Sequence, residues 1–118
     1  MNRAHELGLS GEEAAARYLR KNRFEILRRG FRFGRGEIDI IANDRGTLVF
    51  IEVKTRRDVD CGLPEEAVTA AKQEQIRRVA GAFLALNRLE NAPCRFDVLS
   101  LLRGADGAYR IRHLRDAF

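Results

Sequence analysis

Three ionisable residues sit inside two apolar runs of the stretch GEIDIIANDRGTLVFIEVKTR (36–56): Asp39 in the first, Glu52 and Lys54 in the second. Charge is costly to bury, so its presence in β-branched, strand-like sequence asks for a reason. Side chains alternate faces along a strand, which sets Glu37 and Asp39 on one face and Ile38 and Ile40 on the other. In the second run Leu48, Phe50, Glu52 and Lys54 share a face opposed to Val49, Ile51 and Val53. If Asn43-Asp44-Arg45-Gly46 forms a turn with an even loop, Ala42 pairs with Thr47 and Glu37 lies across from Glu52. Asp39 is then diagonal to Glu52 on the same face. An odd loop would put the two acids on opposite faces.

Two carboxylates on one buried face repel, and each is penalised by desolvation unless a cation or a shared proton intervenes. Carboxylate oxygens are the hard ligands that Mg²⁺ takes, one or two from protein, with water and phosphate oxygens completing the octahedron. Water on such a cation is a better nucleophile at neutral pH, and the cation offsets charge developing on a phosphate. Lys54 would project its ammonium beside the cation, to orient water or to neutralise the transition state. The bare spacing of Asp39, Glu52 and Lys54 is weak, because such patterns arise readily by chance in a chain this long. Its setting carries the weight. The alternative is an edge hairpin whose charges face water and guard against aggregation.

Two helices are expected to bring further groups to the hairpin. Ser10-Gly11-Glu12-Glu13 reads as a capping box, with Ser10 as N-cap of a helix running to about Asn22. Glu12 shares its inward stripe with Ala15, Ala16 and Leu19, whereas Glu13 stacks with Arg17 and Arg20 on a wetter side. A first-turn acid is also an ordinary dipole partner, so the stripe alone leaves Glu12's role open. The second helix spans roughly Thr69 to Asn87, with Val68, Ile76, Val79, Phe83 and Leu86 as its apolar stripe. Lys72 lies on that stripe. It either contacts phosphate, supports Glu52, or snorkels out of the first turn.

The remaining elements follow from turn signals. Phe24 to Phe33 reads as a strand interrupted by a bulge or turn at Gly30. CRFDVLSLL (94–102) reads as a buried strand, RGADG (103–107) as a turn, and AYRIRHL (108–114) as a closing strand. The order is α-β-β-β-α-β-β, an α/β fold with a mixed sheet of about five strands flanked by two main helices. Its β–α–β step from 55 to 94 favours parallel pairing.

The 118 residues are expected to make one domain, 1–118. Apolar content of 45% and charged content of 33% fit a globular chain. VAGAFLAL (79–86) is too short to span a bilayer, and MNRAHELGLSGEEAA lacks an apolar signal core; neither membrane insertion nor export is expected. Cys61 and Cys94 form no metal-type cluster and suit a reducing cytoplasm. The net charge of +5 favours an anionic partner. Much of it lies in residues 17 to 35, where eight basic residues face the single acid Glu25. Interleaved Tyr18, Phe24, Phe31 and Phe33 suit either a phosphate-tracking surface or a core. Arg35 and Arg56 flank the hairpin site, to grip a phosphate or to cap strand ends in water. Only Lys21, Lys54 and Lys72 are lysines among 22 basic residues. A lysine kept against that bias suits a place that needs a compact ammonium.

At these residues the chain resembles a known group. Asp39…Glu52-Val53-Lys54 is similar to the core of the PD-(D/E)xK nucleases, the restriction-endonuclease-like superfamily. More closely, GEEAAARYL (11–19), GEIDIIA (36–42), VFIEVKTR (49–56), EEAV (65–68) followed by Lys72, RFDVLSL (95–101) and IRHLRDAF (111–118) resemble the YraN family of predicted endonucleases, distantly akin to Holliday junction resolvases. The resemblance implies a restriction-endonuclease-like core and a Mg²⁺-dependent endonuclease, with Mn²⁺ as substitute, acting on DNA and extending to branched or junction DNA. It carries Glu12, Asp39, Glu52 and Lys54 onto the acidic helix residue, the metal-binding Asp, the second acid and the catalytic Lys. Metal would be held by Asp39, Glu52 and the Val53 carbonyl, and nucleic acid by Arg35, Arg56 and Lys72. The superfamily's Pro before the Asp is replaced by Ile38. Asp97 and His113 are read as structural. Resolvase-like enzymes often pair, so a homodimer is one expected assembly. The rivals are a non-catalytic nucleic-acid-binding module that keeps the fold, and a protein-interaction domain for an acidic partner.

Overall fold

The structure is a computed structural model that describes residues 3–57 and 68–118, with side chains described from Ser10 onward. Cys61 and three residues of the family-like EEAV segment (Glu65, Glu66, Ala67) lie outside the described residues. The elements are α1 (Arg3–Lys21), β1 (Glu25–Phe33), β2 (Gly36–Asp44), β3 (Thr47–Arg56), α2 (Ala70–Leu86), β4 (Cys94–Arg103) and β5 (Tyr109–Leu114). They form one mixed sheet in the order β1-β2-β3-β4-β5. Only β3 and β4 run parallel, as a crossover through α2 requires. The α/β class, the element order and the parallel step all agree with the sequence reading.

Each sheet face carries its own apolar layer. Ala15 and Leu19 of α1 pack on Ile40, Ala42, Val49, Ile51, Leu99 and Leu101. Ile76, Val79, Ala80 and Phe83 of α2 pack on Phe31, Ile38, Ile41, Leu48 and Phe50. Thr69 caps α2, its hydroxyl accepting from the Lys72 N–H at 3.2 Å. Leu86, expected on the inward stripe, is 69% exposed, so burial ends one turn earlier at Phe83.

Three local expectations are corrected. Ser10 is not an N-cap: α1 begins seven residues earlier, at Arg3. Ala4, Glu6 and Leu7 are good helix formers, and a single Gly8 costs only about 1 kcal/mol. Ser10 instead accepts a hydrogen bond from the Tyr109 hydroxyl at 3.0 Å, and Glu13 pairs with Arg29 at 2.8 Å. In β1 the ladder slips at Leu27, between Ile26 and Arg28, rather than at Gly30. The hairpin turn is the two-residue Arg45-Gly46, with both residues at positive φ (54° and 96°), as a type I′ turn needs. Ala42 consequently pairs with Val49, not Thr47. The loop is still even, so the facing of the acids keeps its parity.

Candidate active site

Strands β2 and β3 pair from the turn only as far as Ile40 against Ile51. Beyond that row β2 stays with β1 down to Gly36, while β3 stays with β4 up to Arg56. The sheet therefore forks, and the row inside the fork would set Asp39 against Glu52. Face alternation breaks at the same point. Ile40 and Ala42 belong to the α1 layer, but Ile38 belongs with Ile41 to the α2 layer. The expectation that Ile38 and Ile40 share a face fails across Asp39, the residue that lies between them on β2. On β1, the residue between the Arg29↔Ile40 and Phe31↔Ile38 pairs is Gly30, at φ 65°.

Released from the ladder, the Asp39 carboxylate takes the place of a backbone acceptor. The Val53 N–H donates to its Oδ2 at 2.7 Å. A strand residue sends its N–H and C=O to the same side, so the Val53 carbonyl also faces the fork. Glu52 is only 7% exposed. Its Oε1 receives Lys54 Nζ at 3.3 Å and Lys72 Nζ at 3.9 Å. Leu48 and Phe50 lie in the α2 layer, and Lys72 extends to Glu52 from α2 itself, as alternation along β3 predicts. Burial, then the nearby Glu52 charge, pushes the Asp39 carboxyl up to about 7. The Val53 N–H opposes that rise, and Glu12 and Glu37 add to it. Glu12 is raised in turn, chiefly by burial, with Arg29 pulling it down.

Close backbone approaches place the helices. A methyl at Gly11 would collide with Thr55 Oγ1, so α1 lies directly on β3 and Glu12 is brought to the acids. A methyl at Gly36 would collide with Val79 Cγ2, and Gln75 Nε2 donates to the Arg35 carbonyl at 3.2 Å. Together these lock α2 to the start of β2 and set the height of Lys72 over Glu52.

Asp39, Glu52, Val53, Lys54 and Lys72 thus converge, with Glu12 beside them as an electrostatic neighbour. Arg35 is exposed at the β1–β2 turn. Arg56 donates to the Thr55 carbonyl at 3.0 Å on its own strand. Of the interleaved aromatics, Phe24 and Phe31 are core and Tyr18 packs edge-on against His113; only Phe33 is exposed, at 49%. The basic segment is therefore a charged surface without a stacking platform. Two contributors were not singled out by the sequence. Glu37 enters through its charge, and Gln75 through a backbone contact that no periodicity reveals.

Asp97 and His113 form a separate, structural network. Asp97 is fully buried and accepts from Arg95 Nε (3.0 Å), the Asp116 N–H (3.0 Å) and His113 Nε2 (2.7 Å). Arg95 also reaches Asp44 at 2.8 Å, and the Tyr18 hydroxyl meets His113 Nδ1 at 3.0 Å. Burial raises the Asp97 pKa, but the His113 and Arg95 bonds and the Asp116 N–H outweigh it, and the net shift is downward.

Among the described residues no three His, Cys, Asp or Glu side chains cluster as a ready-made cage. The fork still suits a hard cation, since Mg²⁺ asks for only one or two carboxylates. Asp39 and Glu52 supply those, the Val53 carbonyl adds a neutral oxygen, and the raised Asp39 marks a carboxyl whose ionised form lacks a compensating charge. No helix among the described residues is long and apolar enough to cross a membrane.

Residues 11–101, which include Glu12, Asp39, Glu52, Val53, Lys54 and Lys72, match the model of the Uncharacterised protein family UPF0102. A UPF0102 protein of Symbiobacterium thermophilum is 49% identical over 115 residues, covering 98% of both chains. Relatives from Prosthecochloris aestuarii (46% over 119 residues; 97% of this chain, 94% of that one) and Geotalea uraniireducens (46% over 112; 95% and 88%) carry the same family name. The chain belongs to the UPF0102 family.

Proposed function

We propose that the protein is a divalent-metal-dependent endonuclease that hydrolyses phosphodiester bonds in DNA. The observation that supports this reading is the convergence of Asp39, Glu52, Lys54 and Lys72 at a fork between two strands, where a sheet otherwise excludes charge. Asp39, Glu52 and the Val53 carbonyl would hold the cation. When bound, Mg²⁺ or Mn²⁺ supplies charge that offsets the phosphate and favours ionisation of water. Lys54, whose ammonium lies 3.3 Å from Glu52, would orient the attacking water or neutralise the charge growing on phosphorus. Lys72 stands behind Glu52 at 3.9 Å and would help hold that carboxylate in place, while Glu12 would close the acidic side of the fork. Exposed Arg35 and half-buried Arg56 offer phosphate contacts on either side.

The test is a nicking assay on supercoiled and branched DNA with Mg²⁺, Mn²⁺ or chelator. Cutting should require the divalent ion and fall at least a hundredfold in Asp39→Ala and Lys54→Ala, with folding retained by circular dichroism. Equal cutting by both variants removes the hydrolase reading. One observation favours a non-catalytic nucleic-acid-binding module instead: Asp39 and Glu52 already have partners in Val53, Lys54 and Lys72. That module binds DNA with the same affinity whether or not divalent ions are present or Lys54 is replaced.

A further inference from the structure

Several arginines of this protein are paired with acids. Arg29 pairs with Glu13, Arg32 with Glu37, Arg78 with Glu74, Arg95 with Asp44 and Asp97, and Arg115 with Asp44. Three others gather at one place. Arg57, Arg103 and Arg110 line one cleft of about 740 Å³, floored by Leu102 and by Gly104 and Gly107 of the β4–β5 turn. Among the described residues Arg57 and Arg110 have no ion-pair partner, and Arg103 meets only the Tyr109 ring, at 5.6 Å. The acid of that turn, Asp106, accepts the Ala108 N–H at 3.0 Å and is not part of the cleft wall. Among the described residues no acid lies in the cleft wall, and three gathered guanidiniums repel one another. Their arrangement is relieved by an anion, and phosphate is the anion that planar guanidinium forks match best.

The position of the cleft narrows the anion's identity. It lies at the carboxyl ends of the parallel pair β3–β4, where open α/β sheets commonly seat ligands. Arg56 is level with Leu102, and Leu102 with Arg110, so the cleft continues the rows that begin with Lys54 and Ser100. From Lys54 to Arg57 is three strand residues, or about 10 Å at ~3.3 Å each. That is about three duplex steps at ~3.4 Å per step along one strand. We propose that the Arg57–Arg103–Arg110 cleft receives a backbone phosphate of the bound nucleic acid, a few nucleotides from the bond presented to Asp39, Glu52 and Lys54. The site fixes where a strand leaves the fork; it rests on the nuclease reading for the identity of the strand, not for the anion chemistry.

The test is binding of a labelled oligonucleotide to the full chain in chelator, followed by fluorescence anisotropy at several salt concentrations. The parent is compared with Arg103→Ala/Arg110→Ala, with Arg57→Ala, and with Arg103→Lys/Arg110→Lys. Losing one phosphate contact should make the slope of log K against log salt shallower by about 0.7 to 0.9, with weakening uniform across sequences. The double lysine variant should keep most of the slope. Arg57 is exposed, so its single variant keeps the test valid if the double alanine chain unfolds. Unchanged slopes in the alanine variants overturn the proposal. So does a cleft that binds inorganic phosphate while oligonucleotide isotherms of parent and variants coincide. Chelator removes any dependence on cleavage: a changed slope without divalent-dependent cutting keeps the cleft and removes the hydrolase, and cutting with unchanged slopes does the reverse.

Discussion

Asp39 concentrates the chemistry of the fork in one side chain. It holds the Val53 N–H that the ladder abandons, and it resists ionisation because burial and Glu52 oppose a second negative charge. A carboxyl raised from 3.8 to about 7 contributes stability that is full below pH ~3.8 and lost as pH rises through about 7. In chelator, the parent should therefore lose stability relative to Asp39→Asn between pH 5 and pH 8, by up to ~1.4 kcal/mol per pH unit within that window. Urea denaturation of both chains at the two pH values measures the difference. Adding Mn²⁺ at pH 8 should restore the parent and leave the Asn variant unmoved. A parent and variant with parallel pH profiles would show that Asp39 ionises freely.

The elements act here mainly through where they touch. Helix α1 reaches Thr55 closely enough that Gly11 has no room for a β-carbon, and this contact sets Glu12 against the acids. Alanine at position 11 would favour the helix by about 1 kcal/mol, yet it must displace a stiff, β-branched threonine on a paired strand. We expect Gly11→Ala to destabilise by about 1–3 kcal/mol. Thr55→Ala in the same chain should recover most of that loss. A double-mutant cycle by denaturant unfolding reads the coupling. If the two substitutions prove additive, α1 is not held by this contact.

At the scale of the molecule, Asp97 ties distant parts together. Through Arg95 it is linked to the hairpin at Asp44, through His113 to β5 and to Tyr18 of α1, and through the Asp116 N–H to the C-terminal residues. The chain end lies on the same strand, with Phe118 stacked on Phe96 at 5.1 Å and the Ala117 N–H bonded to the Phe96 carbonyl at 2.7 Å. Asp97→Ala would leave a part-buried guanidinium, an imidazole and an N–H short of an acceptor, so it should cost about 3 kcal/mol. The lowered Asp97 pKa adds a sign: its stabilisation is present above pH ~3.8 and lost as pH falls through the folded value. The variant should show a weaker acid limb in its unfolding midpoint than the parent. The residues of the proposed site are untouched by this change, so the cutting proposed for the fork should persist per folded molecule.

Local signals sufficed for the α-β-β-β-α-β-β order and the parallel β3–β4 step. Strand alternation, turn residues and the helical period act over a few neighbours and are written in the chain. They failed where a neighbour far in sequence decided the outcome. Ser10 and Glu13 spell a capping box, but Tyr109 and Arg29 claim their side chains within a helix that starts earlier. Ile38 and Ile40 alternate in the chain and part in space, because β2 must follow β1 while β3 follows β4. The sequence by itself determined which side chains carry charge into the apolar layer. Only tertiary structure decided that the strands fork beneath them, since the path of β2 is set by its pairing with β1 and that of β3 by its pairing with β4.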